Sequence, residues 1–557
     1  MKTIHVEKTS SKGIVMGQVF RKEDQDLSPE CYAADNAVSE AEKYRAAVDE
    51  VINELEPLAA ESDIFAAHLE LAKDIALMEG VLDKIENGKE NAQMALAHTA
   101  EEYCAIFECM EDEYMRERAA DIKDIRNRLM RKLKGLPDED YDGIREKVIL
   151  VASDLAPSDT AKLNLDYILG FITELGGVTS HVSIMARSLG LPALVGVKGI
   201  LEQASSGDFV IMDASEGCII VDPDREQIEE YQEKAEAFAR HQKELESLSH
   251  LPAVTSDGRS VKVCANVGSI EDVKNAIKNH IDGIGLFRSE FLYMENSHFP
   301  TEEEQFAVYK EAAELVKSEL IIRTLDIGGD KELPYYEFEK EENPFLGWRA
   351  IRISLEMEDM FKDQLRALLR ASAFGDIRIM YPMIISMEEL NKANELLEVC
   401  KLELKAEGVA YKEDIKVGMM IETPASVMCV EEFAAHVDFF SIGTNDLTQY
   451  ILAVDRGNKK IASRYNTFHP AVLKAIQRII QAGHAHQIPV GMCGEFASDE
   501  KATEMLLGMG LDEFSISAGE VANIKNVIRN ISYEEAKQTA YKAVSAYTIQ
   551  DVMGALR

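Results

Sequence analysis

The chain has 557 residues, several times the ~150 typical of one domain, and its 46% hydrophobic and 29% charged content is that of a folded protein, which excludes a small single module and a disordered one. With 60 Lys and Arg against 99 Asp and Glu the formal charge is −39, a surface that repels phosphate backbones and anionic lipid, so nucleic-acid and membrane partners are not expected. Eight scattered cysteines without a CxxC pair, and no stretch near the ~20 apolar residues of a membrane span, point to the reducing cytosol rather than export.

Short strands open the chain at 4–6 and 14–20, separated by a turn at Lys12-Gly13. The period then changes. Val48, Val51, Ile52 and Leu55, and later Ile122, Ile125, Leu129 and Leu133, recur on one helical face, so 21–144 is expected to be a helical block broken at Pro57, at Asn87-Gly88 and finally at Gly135-Leu136-Pro137. Strand signals return at 148–152, 167–172, 193–196, 209–212 and 218–221. The simplest organisation is an α/β domain built from 1–20 and 145–223 and split by the helical insert. Residues 224–251, charged and ending at Leu251-Pro252, read as an exposed linker helix.

In 252–557, strand-like runs fall at 261–266, 283–287, 321–326, 377–383, 416–421, 439–442 and 490–493, with a weaker one at 345–349. Strands alternating with helical stretches on this scale predict a (β/α)₈ barrel. In such a barrel the catalytic groups sit where strands run into the following loops. Arg288 follows the second predicted strand, Arg323 lies in the third, and Arg349 comes from FLGWRAIR. Glu422 ends the sixth, Asn445 and Asp446 follow the seventh, and Cys493 ends the eighth. Three guanidiniums at one mouth could clamp a small dianion, and two carboxylates from separate strands could hold Mg²⁺. Each residue taken singly could equally be a solvated charge, a helix cap or buried packing; their concentration at strand ends favours a site.

A second motif, GGVTSHVSIMARS at 176–188, places His181 after a glycine turn near the start of a predicted helix, where free N–H groups suit an anion beside the imidazole. A histidine after Thr-Ser is also a common cap, and that reading stays open on this motif alone.

Together with GGVTSHVSIMARS, the strings GIGLFRSEFL, LDIGGDKELPYYEFEKEENPFLGWRAIR, IETPASV, FFSIGTNDLTQYILAVDRGN and GMCGEFASDE resemble Enzyme I of the bacterial phosphoenolpyruvate-dependent sugar phosphotransferase system, over essentially the whole chain. The resemblance implies that His181 is the phosphorylated histidine and that the barrel binds phosphoenolpyruvate. It implies that Arg288, Arg323 and Arg456 hold the phosphoryl group, that Arg349 and Asn445 orient substrate, and that Glu422 and Asp446 bind Mg²⁺. Cys493 would protonate the enolate to give pyruvate. The helical insert would dock the phosphocarrier HPr, with His68 and Leu71 as contacts, and the barrel would form a homodimer. Val178 stands where many members have Arg, and Lys12 where they have Pro. A phosphoenolpyruvate synthase or pyruvate phosphate dikinase relative is the nearest alternative, but it needs a large nucleotide-binding domain, and no GxxxxGK[ST] loop is present. A non-catalytic HPr-binding scaffold is the alternative of a different class.

Overall fold

The computed structural model describes residues 2–556 apart from 7–8, 24, 31, 33–35, 60–62, 109–112, 138–140, 142–143, 157–158, 160–161, 178–181, 184, 187–189, 295, 329–332, 334, 337 and 459; the side chains of 63–64, 106–108, 113–118, 120 and 246 are likewise outside the description. The chain forms two compact units, 1–242 and 243–557.

The first unit is built on an eight-stranded sheet. Its strands are β1 (Lys2–His5), β2 (Thr9–Ser11), β3 (Ile14–Arg21), β4 (Val148–Ala152), β5 (Ile168–Thr173), β6 (Ala193–Leu194), β7 (Phe209–Asp213) and β8 (Cys218–Val221), in the order β1-β8-β7-β3-β4-β5-β6-β2. β3 to β6 run parallel, while β7, β8, β1 and β2 join by antiparallel pairing. The β-branched and aliphatic residues of β4, all buried, explain why it takes a central place. β2 was not expected: Thr9-Ser10-Ser11 carries no apolar signal and is held as an edge strand by β6.

Between β3 and β4 lie five helices, α1 (Ala37–Ala59), α2 (Asp63–Ala72), α3 (Ile75–Glu86), α4 (Ala92–Glu108) and α5 (Glu113–Lys134). Val48, Val51 and Leu55 of α1 pack on Val81 and Ile85 of α3 and on Ile125 and Leu129 of α5, as the helical period requires. Burying each such side chain contributes roughly 1.5–3 kcal/mol. Pro57 does not break α1 where expected, because it lies in the last turn and the helix runs on to Ala59. Asp74 starts α3 by accepting the Leu77 N–H at 2.9 Å, and the break at Asn87-Gly88 separates α3 from α4. A further helix, α6 (Arg225–Leu248), occupies the linker stretch.

The second unit is a closed barrel of eight parallel strands: β9 (Lys262–Val267), β10 (Ile284–Arg288), β11 (Glu319–Arg323), β12 (Asp376–Tyr381), β13 (Lys416–Ile421), β14 (Phe439–Ile442), β15 (Val490–Met492) and β16 (Glu513–Ile516). Pairing of β16 with β9 closes the ring. The inward layer contains Leu286, Ile321, Met380, Met420, Phe439 and Cys493, and a larger apolar core lies between strands and outer helices. One expected strand is wrong and one was missed. Residues 344–346 form a 3-10 turn, because Pro344 starts it and Gly347 ends it. The eighth strand is β16, whose inward Glu513 hides its apolar pattern. Glu422, Asp446 and Cys493 therefore follow the fifth, sixth and seventh barrel strands, one earlier than expected. Among the described residues no helix is long and apolar enough to cross a membrane.

Candidate active site

Arg288 and Arg323 end β10 and β11 and are paired in register, so parallel pairing alone sets them side by side at the mouth of the barrel. Their surroundings differ. Arg288 is exposed, with its guanidinium 5.7 Å from the Phe291 ring centre. Arg323 is buried, with Nη2 2.6 Å from Glu290 Oε1 and Nη1 2.8 Å from Asp326 Oδ2. Burial alone would weaken its hold on the proton, but the Asp326 and Glu290 carboxylates outweigh it and keep the charge.

Arg349 is buried at the same mouth, though it leaves no strand. Its Nη2 lies 3.0 Å from Asp326 Oδ1 and 3.3 Å from Asp446 Oδ2, and its Nη1 donates to Tyr450 Oη at 3.3 Å. Tyr450 in turn donates to the Phe345 carbonyl. The loop after β11 and the Arg349 segment meet closely: Ala350 N–H donates to the Ile327 carbonyl at 2.9 Å, and Gly328 has φ +91° with the position of a Cβ 2.6 Å from the Trp348 carbonyl. Only glycine fits there. The LDIGG string thus places Asp326 and Arg349 against each other.

Glu422 follows β13 and is buried, its Oε1 accepting the Met383 N–H at 2.6 Å. Asp446 sits in the first turn of the helix Thr444–Leu452, where an acidic residue is favoured by the helix dipole. Burial, then the nearby Asp446 and Asp326 carboxylates, push the Glu422 carboxyl up to about 8. Asp446 Oδ1 is buried without a hydrogen-bond partner. Two buried carboxylates that repel each other, one with an orphaned oxygen, are a donor set that fits a hard divalent cation.

Cys493 follows β15 and lies within the barrel interior at 7% exposure, its Sγ 3.8 Å from the Ile442 carbonyl. Burial pushes its thiol up to about 11, against the opposing pull of a Ser441 hydrogen bond and of Arg323, so it is protonated at neutral pH. Asn266 Nδ2 donates to the Cys493 carbonyl at 3.0 Å and fixes the turn that carries it. Asn445 Oδ1 accepts the Glu495 N–H at 3.3 Å and its carbonyl accepts from Tyr465 Oη at 3.2 Å, which ties the β14 and β15 loops together.

The fold thus brings Arg323, Arg349, Glu422, Asp446 and Cys493 to one end of one barrel. Arg456 is exposed beyond the helix Thr444–Leu452, anchored through its N–H to Gln449 Oε1 at 3.1 Å. His181 and Val178 lie outside the described residues; the flanking 182–183 and 185–186 are helical, and Ser183 Oγ donates to the Gly177 carbonyl at 2.7 Å. The expectation that His68 is a surface contact does not hold for its side chain as folded. It is 0% exposed, with Nε2 3.2 Å from Asp121 Oδ1, because its position on α2 faces α5. Leu71 on the same helix is half-buried. Sequence reasoning missed Glu290, Asp326 and Tyr450. The acidic residues in FRSEF and LDIGGD, so close to arginines, were the available signal.

Three family models match the chain: the PEP-utilising enzyme PEP-binding domain over 242–533, the mobile domain over 144–217 and the N-terminal domain over 8–118. The chain is 44% identical to the phosphoenolpyruvate-protein phosphotransferase of Bacillus sp. (strain S), over 99% of this chain and 97% of that one. It is 45% identical to that of Haemophilus influenzae, over 98% and 96%. Identity to the Bacillus subtilis protein of the same name is 43%, over 98% and 97%.

Proposed function

Because the chain belongs to the phosphoenolpyruvate-protein phosphotransferases, a family of PEP-utilising enzymes, we propose that its barrel mouth binds phosphoenolpyruvate and that His181 takes the phosphoryl group and passes it to a histidine of HPr. The observation that carries the reading is the buried Arg323–Asp326–Arg349–Asp446 network beside Glu422 at the strand ends. Fixed guanidiniums in a site shielded from water stabilise charge that spreads over phosphoryl oxygens in transfer. Arg288, at the end of the neighbouring strand, and Arg456 close on the same group from the exposed side, and Asn445 contacts the substrate. Glu422 and Asp446 would hold a divalent cation, Mg²⁺ by this reading, which would supply further neutralisation of the substrate's negative charge.

In the chemical step a nitrogen of neutral His181 attacks phosphorus, the bond from phosphorus to the enolate oxygen breaks, and its electron pair leaves with the enolate. Cys493 gives its proton to the enolate methylene carbon, producing pyruvate and a thiolate that water reprotonates. A thiol held neutral by burial is a suitable acid for that task. The second transfer sends the group from His181 to HPr, so His181 visits two partners in turn, and the linker over 224–251 permits the exchange. The helical block 21–144 docks HPr through its exposed face near Leu71, with His68 behind that face. The barrel, 252–557, forms the homodimer that the family resemblance implies. The net charge of −39 and the scattered cysteines favour the cytoplasm.

The test is incubation with phosphoenolpyruvate labelled in its phosphoryl group, with Mg²⁺ and without nucleotide. Wild-type protein is expected to become labelled and to pass the label to added HPr, and His181→Ala is expected to stay unlabelled. Labelling that requires ATP, or labelling of His181→Ala to the wild-type extent, would overturn the reading.

A further inference from the structure

Two buried arginines in the barrel mouth share one counter-ion. Arg323 Nη1 lies 2.8 Å from Asp326 Oδ2, and Arg349 Nη2 lies 3.0 Å from Asp326 Oδ1. A carboxylate that accepts a hydrogen bond from one guanidinium and ion-pairs with another through its second oxygen sets the spacing between them, since short contacts between buried opposite charges are costly to break. Asp326 is itself only 2% exposed, so water does not compete for either oxygen. The backbone around it is fixed as well: Thr324 N–H donates to the Met380 carbonyl at 2.9 Å, and Leu325 N–H to Gln364 Oε1 at 2.9 Å.

Each arginine also has a second carboxylate, and the two differ in kind. Glu290, 2.6 Å from Arg323, is buried in a helix behind the site. Asp446, 3.3 Å from Arg349, is half of the pair that fits a cation. Arg349 holds Asp446 Oδ2 while Oδ1 has no partner, so a divalent cation on Oδ1 would draw on the same carboxylate and weaken its hold on Arg349. Were Asp446 the sole partner of Arg349, cation binding would strand a buried guanidinium, which is strongly unfavourable. Asp326 keeps that guanidinium paired while Asp446 changes partner.

We propose that Asp326 is a positioning residue for phosphoryl transfer, one that holds Arg323 and Arg349 at the spacing that receives phosphoryl oxygens and retains Arg349 when Asp446 turns to the divalent cation. The proposal rests on the reading of the mouth as a phosphoenolpyruvate and cation site. Its consequence is coupling: a cation on Asp446 frees an N–H of Arg349 for the anion, and the anion in turn favours the cation by the same factor.

The test is Asp326→Asn, which keeps the shape of the side chain but removes its charge and one acceptor. Glu290 and Asp446 still pair the arginines, so the barrel folds. Two quantities are read: the KM for phosphoenolpyruvate against kcat, and the binding of Mn²⁺ to the protein without phosphoenolpyruvate, followed by electron paramagnetic resonance. KM is expected to rise about tenfold or more, as for other residues that orient a ligand-binding group, with a smaller change in kcat. Mn²⁺ binding weakens because Asp446 is then the one carboxylate left to Arg349. Asp326→Glu restores part of the KM. Arg349→Met is the second variant and carries the opposite sign: with the competing cation gone, Mn²⁺ binds more tightly than to wild type. Unchanged KM and Mn²⁺ binding in Asp326→Asn, or weaker Mn²⁺ binding in Arg349→Met, would overturn the proposal. Wild-type Mn²⁺ binding that survives Asp446→Asn would defeat the reading of the site itself.

Discussion

Arg349 and Asp446 neutralise each other inside the barrel mouth, Nη2 to Oδ2 at 3.3 Å, although 97 positions separate them in the chain. Each still has one polar atom without a partner, Asp446 Oδ1 and Arg349 Nε. The buried charges of the mouth are thus largely paired with one another, and on the proposed reading substrate and cation would enter a set of opposed charges rather than a field of one sign.

Glu422→Gln and Asp446→Asn should each reduce phosphoryl transfer by orders of magnitude, since the two carboxylates leave different strands and neither can take the other's place. Glu422→Gln should nevertheless fold, because its Oε1 bond from the Met383 N–H can be kept by the amide oxygen. Rates of self-phosphorylation measured against Mg²⁺ concentration check this, and near-normal turnover at low Mg²⁺ in both variants would contradict it.

Cys493→Ser should leave phosphoenolpyruvate binding in place and slow pyruvate formation sharply, because a hydroxyl is a far weaker acid than a thiol. Delivery of solvent deuterium to a stereochemically labelled methylene should also lose its facial preference. If Cys493 is only a small buried side chain of the interior layer, turnover and stereochemistry stay at wild-type values.

At the opposite end of the barrel, Glu513 and Glu319 meet beside Cys264, with Lys262 2.5 Å from Glu319 and Arg378 paired to the same carboxylate. These two cations already neutralise the cluster, so it needs no metal. Burial, then Glu319, push the Glu513 carboxyl from its ordinary 4.5 up to about 8. Between those values the folded protein keeps a proton that the unfolded chain has lost, so Glu513 makes stability fall as pH rises from about 4.5 to about 8. Glu513→Gln should remove this slope and raise the barrel's melting temperature more at pH 8 than at pH 5. Thermal melts at the two pH values decide it: equal shifts would contradict the assignment.

Leu55→Ala, in the centre of the helical core, should cost about 2–5 kcal/mol in that block. Self-phosphorylation should survive while transfer to HPr falls, since the barrel core shares no residue with the helical one. The association rate with HPr should also drop as salt rises, given the net charge of −39. Stopped-flow association at several salt concentrations measures the second effect, and a flat rate would count against an acidic docking face.

Local pattern by itself determined most of the architecture. The helical period at Val48, Val51 and Leu55 marks the insert, β-branched runs mark β4 and β8, and the Phe439-Phe440 pair marks β14, because each of those signals is carried by neighbours in the chain. It also pointed to Arg323, Glu422, Asp446 and Cys493 as strand-end residues. What local pattern could not decide is who pairs with whom. Whether 345–349 or Glu513–Ile516 closes the barrel depends on which segment finds a ladder partner, and β9 provides it for Glu513–Ile516 across some 250 residues. His68 was legible as a histidine on a helix, but which side of that helix is covered was set by α5. Asp326 shows the same limit most clearly. In the sequence it is one acidic residue among 99 Asp and Glu, three positions after Arg323, and only the packing of the loop after β11 on the Arg349 segment sets its other oxygen against Arg349. Secondary structure follows from short-range chemistry, whereas the balance of buried charge depends on which loops and strand ends the tertiary fold brings together.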